Sequence, residues 1–341
     1  MIYWNLYLRI QPMNREEIGI VQFNSNVDIM EEDILLLGEP LLEILLKDRT
    51  TQRNIIWATS DYENLGADYD AKCEITVPQI TGIHAKVIQP RITKAKEHQT
   101  NRTKDKAEVF TPSWICNQQN NLVDEQWFGR KNVFNAPTNG SWLTVSEPII
   151  FPEDKGKSWK AYVDARRLEI SCGEAPYLVS RYDTVSGDMI NIEERIGLLD
   201  RKLRIVNENA DSEADWLKWS LRAFQSVYGY EYQGDNLLLA RENLLYTFTD
   251  NMLYKLKRKP TFEELRIIAR VISWNIWQMD GITCTVPFGK IEERYRQLTL
   301  FEWMPTDQEQ EQPKQQMCRI TDWRSKVSMT YKSLLGGDTN G

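Results

Sequence analysis

Three short runs of β-forming residues, RRLEIS at 166–171, VYGYEY at 227–232 and NIWQMD at 275–280, are separated by stretches with helical periodicity. This alternation constrains the fold more than any other feature of the chain. After the second run, Asp235 can cap a helix in which Leu238, Leu244, Leu245 and Phe248 recur at helical intervals. Before the third, Thr261 and Glu264 have capping-box spacing, and Leu265, Ile268 and Ile272 form an apolar stripe. The first run enters a turn, Cys172-Gly173-Glu174-Ala175-Pro176, and the residues beyond it resume a helix-like pattern. Strands alternating with helices predict an α/β fold with a parallel sheet covered on both faces and ligands bound at the carboxyl ends of its strands.

The flanking segments fit around that unit. EEDILLLGEPLLEILLKD reads as a helix, and NIIWAT and CEITV as β-rich runs, so residues 1–90 are expected to form a small α+β region without a catalytic motif. Residues 91–341 form the larger unit. Within it, Thr111 can cap a helix and Pro112 suits the first helical position, which predicts a helix starting near Ser113. A loop-like segment with Pro137, Gly140, Pro148 and Pro152 follows. Beyond Pro287 come a charged helical stretch, the soft linker PTDQEQEQPKQQ and a final strand candidate, MCRITDW.

Composition narrows the function. Cys73, Cys116, Cys172, Cys284 and Cys318 show no C-x-x-C spacing, which fits reduced thiols. His84 and His98 are the only histidines and sit among polar neighbours, so neither a zinc site nor a histidine-based hydrolase is expected. No apolar run approaches the about 18 residues of a membrane span. MIYWNLYLRI lacks the plan of a signal peptide, so the expectation is a cytoplasmic protein without membrane contact. The formal net charge of −7 argues against coating nucleic acid by bulk electrostatics. Two basic clusters, Arg91 to Lys106 and Lys255 to Lys259, are either phosphate contacts or solvated faces.

The chemistry gathers at strand ends. The CGEAPY turn, Glu231 and Asp280 each follow one β run of a common sheet. A nucleoside cofactor needs that arrangement: a turn of small residues for close backbone approach, an acid for ribose hydroxyls, and a polar group at the base.

In order along the chain, FTPSW, LEISCGEAPY, YGYEYQGDNLLLAREN and NIWQMDG resemble the motif series of S-adenosylmethionine-dependent adenine-N6 DNA methyltransferases. The chain is similar over most of its length to bacterial proteins labelled restriction endonuclease subunit M. The resemblance implies a Rossmann-like methyltransferase sheet, S-adenosylmethionine as cofactor and double-stranded DNA as substrate. It assigns Phe110, Thr111 and Pro112 to packing against the cofactor. Glu169 with Cys172, Gly173, Glu174, Ala175 and Tyr177 would wrap its methionine end, Glu231 would hold the ribose, and Asp280 the adenine amino group. Plainer roles exist for several of these: Phe110 as a core aromatic, Glu231 and Asp280 as surface acids, and Cys172 as a small buried filler.

The chain departs from the family's pattern at two places. Ala175 stands where a glycine is common, so close approach of the turn requires alanine to keep a negative backbone angle. No N-P-P-Y or D-P-P-Y occurs; ITDWRS takes that place, with Asp322 as hydrogen-bond acceptor and Trp323 as stacking surface for an extruded base, or as a buried strand-end tryptophan. Little chain follows ITDWRS, so the sheet is expected to be incomplete and covered by a partner chain or a second copy. A non-catalytic relative that binds cofactor or DNA is the alternative reading. A nuclease in the N-terminal region, built on acids such as Asp28, Glu31, Asp33 and Asp61, lacks the acid-x-Lys pattern on a strand.

Overall fold

A computed structural model describes residues 27–38, 40–94, 111–154, 156–289 and 316–336. Phe110, His98, residues 95–106 of the first basic cluster and almost all of the PTDQEQEQPKQQ linker lie outside them. At its centre is a parallel three-stranded sheet in the order β3-β4-β5, formed by Arg167–Glu169, Val227–Glu231 and Ile276–Gln278. The register aligns Glu169 with Gly229, Gly229 with Ile276, and Glu231 with Gln278. The alternation of β runs and helices therefore does produce a mixed α/β fold with a parallel sheet, as the sequence predicts.

Side chains alternate between the faces of this sheet. Val227, Gly229 and Ile276 face the main core. They meet α8, Gly234–Leu256, which is buried along nearly its whole length, and α9, Phe262–Asn275. The capping box at α9 forms as expected: the Glu264 amide donates to Thr261 Oγ1 and the Thr261 amide to Glu264 Oε2. Two further helices, α6 over Leu198–Asn209 and α7 over Glu213–Gln225, pack on the same side. On the opposite face, Tyr228, Tyr230 and Trp277 meet a smaller apolar cluster with Ile320 and Tyr331.

The final strand candidate does not join the sheet. Arg319–Asp322 is β6 and pairs antiparallel with β7, Val327–Thr330, as a hairpin laid across the second face. Its path is fixed at both ends. The Cys318 thiol donates to the Gln278 carbonyl, and Asp322 pairs with Arg166, which precedes β3. The hairpin thus runs from the carboxyl end of the sheet to its amino end.

The N-terminal residues share the main core, with Leu41, Leu45 and Trp57 in one buried cluster with Leu244 and Ile276. The predicted first helix is two helices, α1 over Glu31–Leu37 and α2 over Pro40–Leu46, divided at Gly38, whose φ is +155°. NIIWAT and CEITV meet through one isolated antiparallel bridge, Ile56 to Glu74, and form no continuous strand. A short α3, Val77–Ile80, follows.

Between these parts, α4 spans Ser113–Phe128, a hairpin joins β1, Asn135–Thr138, to β2, Ser141–Thr144, and α5 spans Trp159–Asp164. The helix-like pattern after Pro176 gives loop structure with a Tyr182–Met189 bridge, and regular helix resumes only at Leu198. Among the described residues no helix is long and apolar enough to cross a membrane.

Candidate functional site

The first wall of the site is the chain leaving β3. The Cys172 amide donates to the Tyr230 carbonyl, extending the parallel pairing, and the backbone then reverses with positive φ at Ser171 (+47°), Gly173 (+52°) and Ala175 (+64°). The expectation of a negative angle at Ala175 is therefore overturned. The Ala175 amide donates to the Cys172 carbonyl at 2.7 Å, and that tight closure holds alanine in the left-handed region. The turn has the glycine-like geometry without the second glycine.

Cys172 is a packing residue. Its sulfur packs over Gly229, 3.3 Å from where a β-carbon there would sit, it is buried, and burial pushes its pKa well up. Tyr177 and Leu178, just past the turn, donate their amides to Glu169 at 3.2 and 3.1 Å. Burial outweighs these donors and pushes the Glu169 pKa up to about 8, with Glu231 adding repulsion.

Glu231 ends β4 and locks the turn from the adjacent strand. Its Oε2 accepts the Gly173 amide at 2.8 Å and its Oε1 the Gln233 amide at 3.2 Å. Its pKa is raised by burial, against the pull of those amides. Asp280 lies beyond β5 at the same end of the sheet, where its Oδ1 accepts the amides of Ile282 and Thr283 at 2.8 and 3.2 Å.

Thr111 and Pro112 reach this place from the start of α4. The Thr111 side chain is hydrogen-bonded with Tyr177, and the Thr111 carbonyl accepts from Thr184. The predicted cap differs from the observed one. Pro112 precedes the helix, and the first helical amide, that of Ser113, donates to Asp183 Oδ2 at 2.7 Å. Asp183 is well placed to cap because its other oxygen holds the Val185 and Ser186 amides.

The partners of Glu174 and Asp235 carry no motif in the sequence. Glu174 accepts the Arg91 amide at 2.8 Å and the Tyr182 hydroxyl at 2.6 Å, while Asn243 of α8 donates to the Glu174 carbonyl. Asp235, in the first turn of α8, accepts Tyr62 at 2.7 Å and Lys94 at 3.3 Å. Asp235 is thus engaged with distant segments, and Gln233 occupies the cap position expected for it. Gly234 is required by close approach, since a β-carbon there would lie 2.1 Å from the Ile56 carbonyl oxygen.

Asp322 and Trp323 are not brought to this site. Asp322 pairs with Arg166 at 2.8 Å and accepts from Arg324 and Ser325; Trp323 donates to Asn275 at 2.7 Å. Arg166 precedes β3 and Asn275 precedes β5, so both residues sit at the amino end of the sheet, separated from Glu231 by roughly the 13 Å length of β4. The cause is the direction of the hairpin, which carries ITDW away from the carboxyl end.

Two members of the second basic cluster are held structurally, while Lys257 and Lys259 are exposed. Arg258 pairs with Glu213 and Glu264 at 2.6 and 2.7 Å, and Lys255 donates to the Asn207 carbonyl. What remains at the carboxyl end is a glycine-like turn and two buried carboxylates, beside Asp280 and the start of α4. Glu231 is held by backbone amides on both oxygens, those of Gly173 and Gln233, and the Tyr232 amide also favours its charged form. This donor and acceptor set suits a hydroxyl-bearing nucleoside. No protein-family model, curated protein or solved structure matches the chain.

Proposed function

We propose that the chain is the S-adenosylmethionine-binding modification subunit of a DNA adenine-N6 methyltransferase, acting on double-stranded DNA together with a partner chain. The observation that carries the reading is convergence. Thr111, the Cys172–Tyr177 turn, Glu231 and Asp280 come from four separate stretches and lie around the carboxyl end of one parallel sheet. That is where open α/β sheets bind nucleotides.

The cofactor supplies an activated methyl group. This chain's residues bind and orient it: Glu231 accepts the ribose hydroxyls, Asp280 accepts the adenine amino group, the turn follows the methionine end, and Thr111 with Pro112 closes one side. Positioning of the two reactants is the main catalytic contribution in such a transfer. Calorimetric titration with S-adenosylmethionine tests the assignment. Glu231→Gln and Asp280→Ala should each weaken binding by about 10- to 100-fold, as expected for lost hydrogen bonds to charged groups. Unchanged affinity in both folded variants removes the cofactor from this site.

The placement of Asp322 and Trp323 at the amino end favours a second reading, a methyltransferase-like subunit that binds cofactor or DNA without transferring methyl groups. Tritium transfer to unmethylated genomic DNA separates the two. Incorporation lost in Glu231→Gln supports the enzyme, and cofactor binding without incorporation under any partner condition supports the second reading.

A further inference from the structure

The second face of the parallel sheet is only partly covered. Among the described residues β3 is an edge strand, paired on one side by β4. Leu168 and Ile170, which share this face by alternation, are 43% and 65% exposed. Beside them lies a cleft of about 210 Å³ between the sheet and the C-terminal hairpin, lined by Leu168, Tyr228, Trp277, Ile320, Met329 and Tyr331. Leu334, also at the cleft, and Leu335 are 58% and 59% exposed. Parallel sheets are normally buried on both faces, and contiguous exposed apolar surface marks an interaction site.

The charge around the cleft says what kind of occupant fits. Arg166 lines it and is half exposed, while Arg319, Arg324, Lys326 and Lys332 are exposed on the segments that carry the other wall. Against these stand Asp322, paired with Arg166, and Asp164, paired with Arg324 and Arg222. Arg166 and Arg167 line the cleft itself, so basic side chains outnumber acidic ones on its walls and on the segments that carry them, in a chain whose net charge is −7. A cavity of about 150 Å³ accommodates a benzene ring, so this one has room for a single large side chain.

We propose that this face docks an acidic segment of a partner chain, anchored by one aromatic or leucine side chain in the cleft and held by carboxylates on the arginine and lysine rim. The proposal gives a place and a chemistry to the partner invoked above and rests on that reading only for the partner's existence. Phosphate groups of a nucleic acid would find complementarity only at the basic side chains, because most of the recess lining is ring and aliphatic carbon, beside Arg166, Arg167, Thr321 and Asp322.

Panning a random peptide library against the full chain, without S-adenosylmethionine, tests it independently of methyl transfer. The expected result is enrichment of peptides with several Asp or Glu around a Phe, Trp or Leu. Affinity of a synthetic representative should fall about tenfold or more in Leu168→Glu and severalfold in Arg166→Glu, the pattern of a central anchor and a weaker charged rim. Leu122→Glu, at an exposed leucine on α4, should leave binding unchanged. No enrichment, enrichment of basic peptides, or binding that survives Leu168→Glu overturns the proposal. So does oligothymidylate binding or concentration-dependent dimerisation that Leu168→Glu abolishes, since the occupant would then be nucleic acid or a second copy.

Discussion

Ala175 concentrates the tension of the site in one backbone angle. The left-handed conformation costs alanine roughly 1–2 kcal/mol, which glycine would relieve. Glycine would in turn forfeit about 0.8 kcal/mol of buried methyl and roughly 0.4–1 kcal/mol of chain entropy. Ala175→Gly should therefore leave stability unchanged to within about 1 kcal/mol, whereas Ala175→Val, strained and overpacked at a fully buried position, should lose roughly 3 kcal/mol. Urea denaturation checks the contrast, and equal losses in both variants would mean the turn relaxes to another conformation. Residue chemistry was legible here only in part. Glu231 and the CGEAPY turn announce themselves by following β runs, but the filling of the Gly229 space by Cys172 depends on register between strands far apart in sequence.

The helical elements were legible wherever their ends carry their own chemistry. Thr261 and Glu264 mark α9 because both partners of the capping box lie within one turn. α4 starts at Ser113 as the sequence predicts, but its capping acceptor was not legible because Asp183 comes from a remote loop. Helix α1 poses a different problem: its first residue, Glu31, is buried near Asp28 and Glu32, and burial pushes its pKa from an ordinary 4.5 up to about 8. Glu242 of α8 is fully buried nearby and is also raised, by burial and by Glu31. Between roughly pH 4.5 and 8 the unfolded chain releases a proton that folded Glu31 retains, so stability falls as pH rises across that window. Glu31→Gln should make this fall shallower, measured as urea midpoints from acid to mildly alkaline pH; an unchanged slope would place the titration elsewhere.

For the whole molecule, the parallel sheet was readable from alternation, while its second face was not. Period-two patterning identifies strands but gives no direction to a later strand, so ITDW could not be placed until the hairpin was seen to run back across the sheet. The tie between the N-terminal segment and the sheet was equally hidden. Arg241 of α8, fully buried, donates to the carbonyls of Leu45, Lys47, Ser273 and Ile276, joining the end of α2 to α9 and β5. Arg241→Met would orphan several of these carbonyls and should cost about 3 kcal/mol or more. A smaller loss would show that water reaches the junction; guanidinium denaturation measures it.

The sheet order has a consequence for how the protein is made. β3, β4 and β5 pair strictly with neighbours separated by whole helices, and the Ile56 backbone exchanges hydrogen bonds with the Gln278 side chain at 2.9 and 2.8 Å. Loop-closure entropy must be met before any of these contacts is gained. A chain that has not yet reached Gln278 can bring residues 40–62 to α8 but has neither β5 nor the hydrogen bonds to Ile56, so the central sheet closes only once β5 has been made.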